Sequence, residues 1–144
     1  QINDNVHAYN PFKHRHMPEI QEKIKILKGK DLPINFVPHL LPLTRGMLVS
    51  VFATLKDDIN VNQVLNNSYK NCEFIRLRDK PVDVKSVAGT NFCDLFVAKN
   101  GKALFVSSAI DNLLRGASSQ AVVNANILCG YEEYEGIPKI AYVP

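Results

Sequence analysis

The sequence predicts an α+β fold, with a mixed, largely antiparallel sheet and helices packed on one face of it. Stretches with apolar residues at helical spacing alternate with short apolar runs that are rich in β-branched residues. Two of these runs flank Asn100-Gly101, a dipeptide typical of a β-hairpin turn. A chain that mixes helices with strands and contains a hairpin is typical of this fold class.

The first helix is predicted to include Pro18 in its first turn, where the missing N–H of proline costs nothing. Ile20, Ile24 and Leu27 recur at the spacing of one helical face. Gly29 follows the last of them and is expected to end the helix. The triplet His-Arg-His that precedes Pro18 is therefore predicted to lie on the loop before this helix.

Several short runs are predicted to be strands. They are Val6 to Tyr9, Ile34 to Val37 and Phe74 to Leu77. A longer run, Met47 to Leu55, is almost entirely apolar or β-branched, which predicts a strand buried on both faces. The hairpin should pair Cys93 to Ala98 with Ala103 to Ala109 through a type I′ turn at Asn100-Gly101.

Two more helices are predicted in the rest of the chain. The second is marked by apolar residues at helical spacing, namely Val61, Val64, Leu65 and Tyr69. The third runs from Gly116 to Leu128 and should end before Gly130. Its expected packing face consists of small or apolar residues, namely Ala117, Ala121, Ala125 and Leu128.

Length and composition are those of one globular domain covering residues 1–144. Of the 144 residues, 46% are hydrophobic and 22% are charged, so the chain can bury a core. No apolar run approaches the roughly 18 residues that span a bilayer, and no membrane partner is expected. The net charge of +3 is small and the basic residues of 13–30 are mixed with acidic ones, which favours a solvated face over nucleic-acid binding.

The three cysteines are far apart and form no C-x-x-C pair. This spacing predicts neither a disulfide framework nor a zinc cluster and is typical of a protein of the cytoplasm. Cys93 and Cys129 lie in apolar patterns and are interpreted as core residues, whereas Cys72 follows the second helix and is expected to be exposed. None has the helix terminus or the cations that activate a thiol, so none is predicted to be a nucleophile.

His14 and His16 are two positions apart, so on an extended segment both would face the same side. A metal would need a third ligand such as His7 or His39, and no spacing demands one, so no metal is predicted. Alternatively, one histidine acts as a general acid or base, because its pKa lies near working pH. The third possibility is an exposed basic surface.

Arg45 and Asn112 are the polar residues that best fit a pocket. Arg45 lies between a proline-rich loop and an apolar strand, where its planar fork suits a carboxylate or a phosphate. A structural salt bridge is the alternative for Arg45. Asn112 lies at the junction between the hairpin and the third helix, where a buried amide must be satisfied or face a polar pocket.

Four stretches carry a resemblance to a known family. In chain order they read HAYNPFKHRHMPEI, FVPHLLPLTRGML, VAGTNFCDLFV and SSAIDNLLRGASSQAVVNANILCG. Together they resemble successive blocks of N-acetyl-γ-glutamyl-phosphate reductase. The sequence departs from that pattern in two places. The loop between Asn10 and His14 is slightly shorter than in the family, and Arg115 stands where lysine is common.

The resemblance implies that this sequence, which starts at Gln1, is the carboxy-terminal domain of a two-domain enzyme. Such a domain resembles the catalytic domain of glyceraldehyde-3-phosphate dehydrogenase and forms dimers or tetramers. The family's amino-terminal Rossmann domain binds NADP and carries the nucleophilic cysteine in a P-G-C-Y stretch. Neither that stretch nor a G-x-G-x-x-G loop occurs here, so the fragment alone is expected to be inactive.

The resemblance also assigns roles to the candidate residues. His14, the first histidine of the H-R-H motif, is implied to be the acid/base partner of the cysteine, which attacks an acyl phosphate and forms a thioester. Arg45, Asn112 and His16 are the candidate substrate-binding residues. The implied reaction reduces N-acetyl-glutamyl 5-phosphate in arginine biosynthesis. The aminoadipyl-phosphate reductase of lysine biosynthesis and a non-catalytic oligomerisation or binding module are the alternatives.

Overall fold

The computed structural model describes residues 4–141. The chain divides into two compact units, Gln1–Thr44 and Arg45–Pro144. Within the described residues, the first unit contains one α-helix and a two-stranded ribbon, and the second contains two α-helices, a π-helical turn and a four-stranded sheet. The predicted α+β class is therefore confirmed.

In the first unit, α1 covers His16–Lys28. Strand β1, His7–Ala8, pairs antiparallel with β2, His39–Leu40. Gly29 follows α1 with a left-handed φ of 68°, and its N–H donates to the carbonyl of Lys25. The predicted end of the helix is confirmed, because glycine adopts this conformation without a steric penalty.

The prediction of a strand at Ile34–Val37 is wrong. This segment is irregular, and the strand in this part of the chain is β2. Pro33 and Pro38 bracket the segment, and neither has the N–H that a strand ladder requires. Two hydrogen bonds join this region to the segment after β1, from the N–H of Tyr9 to the carbonyl of Pro38 at 3.0 Å and from the N–H of Phe12 to the carbonyl of Phe36 at 3.1 Å.

The second unit is built on a four-stranded sheet of order β3-β6-β5-β4. The strands are β3, Met47–Thr54; β4, Ile75–Leu77; β5, Cys93–Asn100; and β6, Ala103–Ile110. β6 pairs antiparallel with both β3 and β5, whereas β4 is parallel to β5. The sheet is therefore mixed and largely antiparallel, as predicted.

The β5–β6 hairpin is confirmed, but its turn lies one residue later than predicted. Asn100 still pairs with Ala103, so the two loop residues are Gly101 and Lys102. Gly101 has a φ of 55°, whereas Lys102 is not among the residues with positive φ. Glycine at the first loop position with an ordinary second residue is typical of a type II′ turn, not of the predicted type I′.

β3 lies at one edge of the sheet, and the prediction that it is buried on both faces is wrong. Met47, Leu48 and Val51 are exposed, and Phe52 is 79% exposed. Within the described residues this strand has a neighbour on one side only, namely β6. Its apolar side chains are therefore left open on both faces of the sheet.

The helices of the second unit are α2, Val61–Tyr69, and α3, Ser119–Cys129, which follows a π-helical turn at Leu114–Ser118. The side chain of Asn60 accepts a hydrogen bond from the N–H of Gln63 and so caps α2. Gly130, in the left-handed conformation, ends α3 as predicted. None of the helices in the described part of the chain is long and apolar enough to cross a membrane.

The packing face predicted for α3 is wrong. Ala117, Ala121 and Ala125 are exposed, and Leu128 is 86% exposed. The helix buries the opposite side, because Val123 there joins Phe74 and Ile137 in the hydrophobic core. A larger apolar side chain removes more surface from water than an alanine does.

Candidate functional site

His14 lies two residues before the start of α1 and is held by the first turn of that helix. The backbone N–H of His16 donates to Nδ1 of His14 at 3.2 Å, and the N–H of Met17 donates to the carbonyl of His14 at 3.0 Å. Because a backbone N–H can only donate, Nδ1 is the accepting nitrogen, and the neutral ring carries its proton on Nε2. Nε2 is therefore the atom through which His14 can exchange a proton.

The ring of His14 is half-buried among three other rings. The ring centroids of Tyr9 and Phe36 lie 5.4 and 5.3 Å from it, and that of His16 lies 4.7 Å away. The rings of Tyr9 and His16 meet it edge to face, an arrangement that aromatic pairs prefer. These contacts restrict rotation of the imidazole and so fix the direction of Nε2.

His16 is the first residue of α1, so the prediction that the whole triplet lies before the helix is wrong for this residue. Pro18 is the third residue of α1 and lies in its first turn, as predicted. Its missing N–H still costs nothing there, because the first four N–H groups of a helix have no partner within the helix. The side chain of His16 is exposed.

The histidines do not assemble into a metal centre in the part of the chain that the structure describes. No group of three or more histidine, cysteine, aspartate or glutamate side chains there could hold a metal ion. His7 and His39, the possible third ligands, lie in the β1–β2 ribbon. They do not join His14 and His16 in such a group.

Arg45, in the second unit, forms an ion pair with Asp111. Its Nη1 donates to Oδ2 of Asp111 at 3.2 Å. The side chain of Arg45 is 36% exposed, whereas that of Asp111 is completely buried. A guanidinium has five N–H donors, so this ion pair leaves donors of Arg45 for an anion in solution. The salt-bridge alternative and the anion-binding alternative are therefore compatible.

Asp111 was missed by the sequence reasoning, although it is the most heavily hydrogen-bonded carboxylate of this region. Oδ2 accepts from the N–H of Gly89 at 2.8 Å, and Oδ1 accepts from the N–H groups of Leu113 at 2.8 Å and Leu114 at 2.9 Å. Burial by itself would raise the pKa of Asp111. The backbone donors and Arg45 outweigh that effect and hold the pKa below its ordinary value.

Asn112, next to Asp111, is exposed, but its side chain has a partner. Its Oδ1 accepts a hydrogen bond from the N–H of Gly46 at 2.7 Å. Gly46 has a φ of 114°, and a Cβ added there would approach Cβ of Val84 to 2.7 Å, so only glycine fits. Asp111 and Asn112, at the end of β6, thus hold the side chain of Arg45 and the backbone of Gly46, respectively.

A signal for Asp111 was present in the sequence. An aspartate directly after a strand and before a helical segment is a frequent capping residue, because its carboxylate accepts from the first free N–H groups of the helix.

The cysteines are not arranged for nucleophilic attack. Burial raises the pKa of Cys93, and the charge of Arg115 offsets this only in part. Cys72 is half-buried instead of exposed, and Cys129 is exposed, so both predictions about their burial are wrong. Cys129 is the last residue of α3, and its side chain lies on the uncovered side of that helix.

Curated proteins with one name match almost the whole chain. N-acetyl-gamma-glutamyl-phosphate reductase from Sulfurovum sp. (strain NBC37-1) is 64% identical over 143 residues, which are 99% of this chain and 43% of that protein. The protein of the same name from Wolinella succinogenes is 55% identical over 143 residues, 99% of this chain and 42% of that protein. The chain thus spans less than half the length of these relatives, and the resemblance seen in the four sequence blocks is confirmed.

Solved structures show the same fold. Aspartate semialdehyde dehydrogenase from Francisella tularensis superposes with a TM-score of 0.72 at 12% identity, over 90% of this chain and 40% of that one. Aspartate semialdehyde dehydrogenase II from Vibrio cholerae gives a TM-score of 0.53 at 21% identity, over 64% of this chain and 29% of that one. The family model described as "Semialdehyde dehydrogenase, dimerisation domain" matches residues 1–112. The chain belongs to this semialdehyde dehydrogenase dimerisation-domain family.

Proposed function

We propose that this chain is one domain of a two-domain, cytoplasmic, NADP-dependent reductase. The enzyme converts N-acetyl-glutamyl 5-phosphate to N-acetyl-glutamate semialdehyde and phosphate in arginine biosynthesis. The observation that carries this proposal is the 64% identity, over nearly the whole chain, to a protein named as that reductase. The NADP-binding loop and the nucleophilic cysteine are assigned to an amino-terminal domain outside this sequence.

The residues of this chain do not fit the phosphate groups of NADP. The sequence has no G-x-G-x-x-G stretch. Three of the glycines with positive φ serve other purposes, since Gly29 and Gly130 end helices and Gly101 turns the hairpin. NADPH supplies the hydride when it is bound. In this proposal, the present chain supplies a proton and an anion-binding group.

The proton comes from His14. A thiolate that attacks an acyl phosphate places negative charge on the carbonyl oxygen of the substrate. An Nε2–H that is held in a fixed direction can donate to that oxygen and stabilise the charge. The support for this role is the bond from the backbone N–H of His16 to Nδ1, which leaves the proton of the neutral ring on Nε2.

The anion-binding group is Arg45. An acyl phosphate of an acylated amino acid carries a phosphate and a carboxylate, and the exposed part of a guanidinium can bind either one bidentately. Asn112 and His16 are the other candidate substrate-binding residues in this proposal. The support for this assignment is that His16 and Asn112 are exposed and Arg45 is partly exposed.

We also propose that the chain forms a homo-oligomer through the face of its sheet on which Phe52 of β3 lies. The support is the row of aromatic side chains that β3 begins. Phe52 lies 5.2 Å from Phe105, and Phe105 lies 6.4 Å from Phe96, measured between ring centroids. An apolar surface of this kind is stabilised when a second copy covers it, and two-fold dimers are the commonest assemblies.

The test uses a protein in which this chain is joined to its amino-terminal domain. Phosphate-dependent reduction of NADP is measured with N-acetyl-glutamate semialdehyde and, separately, with the aminoadipate semialdehyde analogue of the lysine pathway. We expect saturable turnover with the first compound. Turnover with the analogue alone would favour the lysine enzyme, and no turnover with either compound would contradict a reductase.

A further inference from the structure

We propose that Asp111 is a positioning residue for the reaction, because its buried carboxylate orients the guanidinium of Arg45 toward the substrate. The inference rests on the proposed function, in which Arg45 binds an anionic group of the substrate. Asp111 itself has no exposed surface and cannot touch a ligand. Its effect on the substrate therefore passes through Arg45.

The carboxylate of Asp111 is immobile. Each oxygen accepts two hydrogen bonds in total, and three of the four donors are backbone N–H groups. These three come from two separate segments, the loop at Gly89 and the turn at Leu113 and Leu114. A carboxylate fixed by backbone on both oxygens cannot rotate, so it directs the Nη1 of Arg45 along one line.

The backbone of the same segment is fixed as well. Asn112 accepts from the N–H of Gly46 at 2.7 Å, and Gly46 packs so closely on Val84 that no side chain fits. Arg45 is thus held at its guanidinium by Asp111 and immediately beyond its own backbone by Asn112. A long, flexible side chain that is ordered before binding loses less conformational entropy when the ligand arrives.

The charge balance permits anion binding despite the nearby carboxylate. The three backbone N–H groups stabilise the negative charge of Asp111, so Arg45 is not the only group that offsets it. Arg45 is 36% exposed and keeps donors on its outer side. The pair therefore presents a fixed cation to the solvent instead of a closed ion pair.

The experiment measures KM and kcat in the two-domain enzyme for phosphate and for N-acetyl-glutamate semialdehyde, in the direction of NADP reduction. The variants are Arg45→Ala, Asp111→Asn and the double variant. Reporting KM for both compounds decides whether Arg45 binds the phosphate or the carboxylate. Asp94→Asn is the matched control, because Asp94 is also a buried carboxylate that pairs with arginines, Arg76 and Arg78.

We expect Arg45→Ala to raise one of the two KM values by about tenfold or more, the effect of losing a charged hydrogen bond. Asp111→Asn should raise the same KM by about three- to tenfold while kcat changes less than KM does. In the double variant, that KM should equal the value for Arg45→Ala alone. Asp94→Asn should lower the melting temperature and leave both KM values unchanged.

The two levels of the proposal fail in different ways. If Arg45→Ala leaves both KM values unchanged, the proposed substrate contact is wrong. If Arg45→Ala raises a KM but Asp111→Asn does not, or if the two effects multiply in the double variant, the contact stands and the positioning role is wrong. An equal KM increase in Asp94→Asn would show that Asp111 acts on KM only by stabilising the fold, and the positioning role would be wrong.

Arg45→Lys keeps the proposal testable if Asp111→Asn does not fold. Lysine retains the charge but offers a single nitrogen, which cannot serve Asp111 and a substrate anion in the fork geometry of arginine. We expect the affected KM to rise about tenfold with little change in melting temperature. A KM equal to that of the parent enzyme would overturn the positioning role.

Discussion

The backbone N–H of His16 donates to Nδ1 of His14 at 3.2 Å, so one histidine of the triplet orients the other without using its own imidazole nitrogens. This bond distinguishes two residues of the same type that are only two positions apart. In His14, the bond leaves Nε2 as the nitrogen that can exchange a proton. The side chain of His16 only contacts the ring of His14, with 4.7 Å between the two ring centroids. The two residues should therefore respond differently to the same substitution.

In the two-domain enzyme, His14→Asn should lower kcat by about 10²–10⁴, the usual loss when a general acid or base is removed. The KM values should change far less, because the loss is felt mainly in the transition state. His16→Asn should cost much less, since asparagine keeps the backbone N–H that holds His14. Steady-state kinetics of both variants check this prediction.

The pH dependence provides the control for that pair. The pH–rate profile should lose one limb in His14→Asn and keep it in His16→Asn. Equal effects of the two substitutions, or a larger effect at His16, would show that the acid/base role has been assigned to the wrong histidine.

Gly101→Val should destabilise the protein by about 1 kcal/mol or more, because Gly101 has a φ of 55° that a β-branched residue adopts only with strain. Asn100→Val is the matched control. Asn100 belongs to β5 and needs no positive φ, so this change should cost much less. Denaturant unfolding measures both. A larger loss at Asn100 than at Gly101 would restore the type I′ turn at Asn100-Gly101.

Phe52→Lys should weaken self-association by about tenfold or more, because it places a charge on an exposed apolar face of the sheet that the second copy would cover. Leu27→Lys is the control, since Leu27 and Phe52 are both 79% exposed but Leu27 lies on α1. Sedimentation across a range of concentrations measures the association. A parent chain that stays monomeric at high micromolar concentration would contradict the proposed oligomer.

Asp111→Asn should also change the dependence of stability on pH. The pKa of Asp111 in the folded state lies below its ordinary value of 3.8, so its ionisation adds stability that is fully present above about pH 4. That stability is lost as the pH falls through the lowered pKa. The variant should be less stable than the parent by about 2 kcal/mol at pH 7, and by less at pH 3.

Asn112→Ala serves as the control for this pH effect. It removes the bond to the N–H of Gly46, which involves no titratable group. Its stability difference from the parent should therefore be similar at both pH values in urea unfolding. A difference for Asp111→Asn that does not shrink at pH 3 would contradict the ionised, hydrogen-bonded carboxylate.

The 144-residue chain alone should not oxidise NADPH in the presence of N-acetyl-glutamyl phosphate. It has no glycine-rich phosphate loop, and burial raises the pKa of Cys93 and so disfavours its thiolate. Absorbance at the NADPH band measures the reaction. Saturable turnover by the pure chain, abolished in Cys93→Ser, would place the nucleophile within this sequence.

The elements that follow local rules were predictable from the sequence. The periodicity of α1, the hairpin around Gly101 and the glycine after α3 each depend on residues that are close together in the chain. The fold class followed from them. The resemblance to the reductase family came from whole blocks of sequence and assigned the acid/base role to His14. Arg45 and Asn112 were already candidates because of their positions next to predicted strands and turns.

The features that depend on distant residues were not predictable in this way. The exposure of β3 depends on its place at the sheet edge, which local composition does not determine. Burial of Val123 instead of the alanines of α3 depends on Phe74 and Ile137. The hydrogen-bond network of Asp111 includes Arg45, which is 66 positions away in the sequence. Only folding brings these two residues together.

The pairing of β3 with β6 has a consequence for how the protein is made. Among the described residues, β3 pairs with one strand only, namely β6. In the chain, α2, β4 and β5 come between these two strands. During synthesis, β3 leaves the ribosome as an apolar segment with no strand to pair with until β6 follows. Non-local pairing of this kind slows folding. The nascent chain should therefore need chaperone protection over this interval, and refolding yield should fall steeply as protein concentration rises.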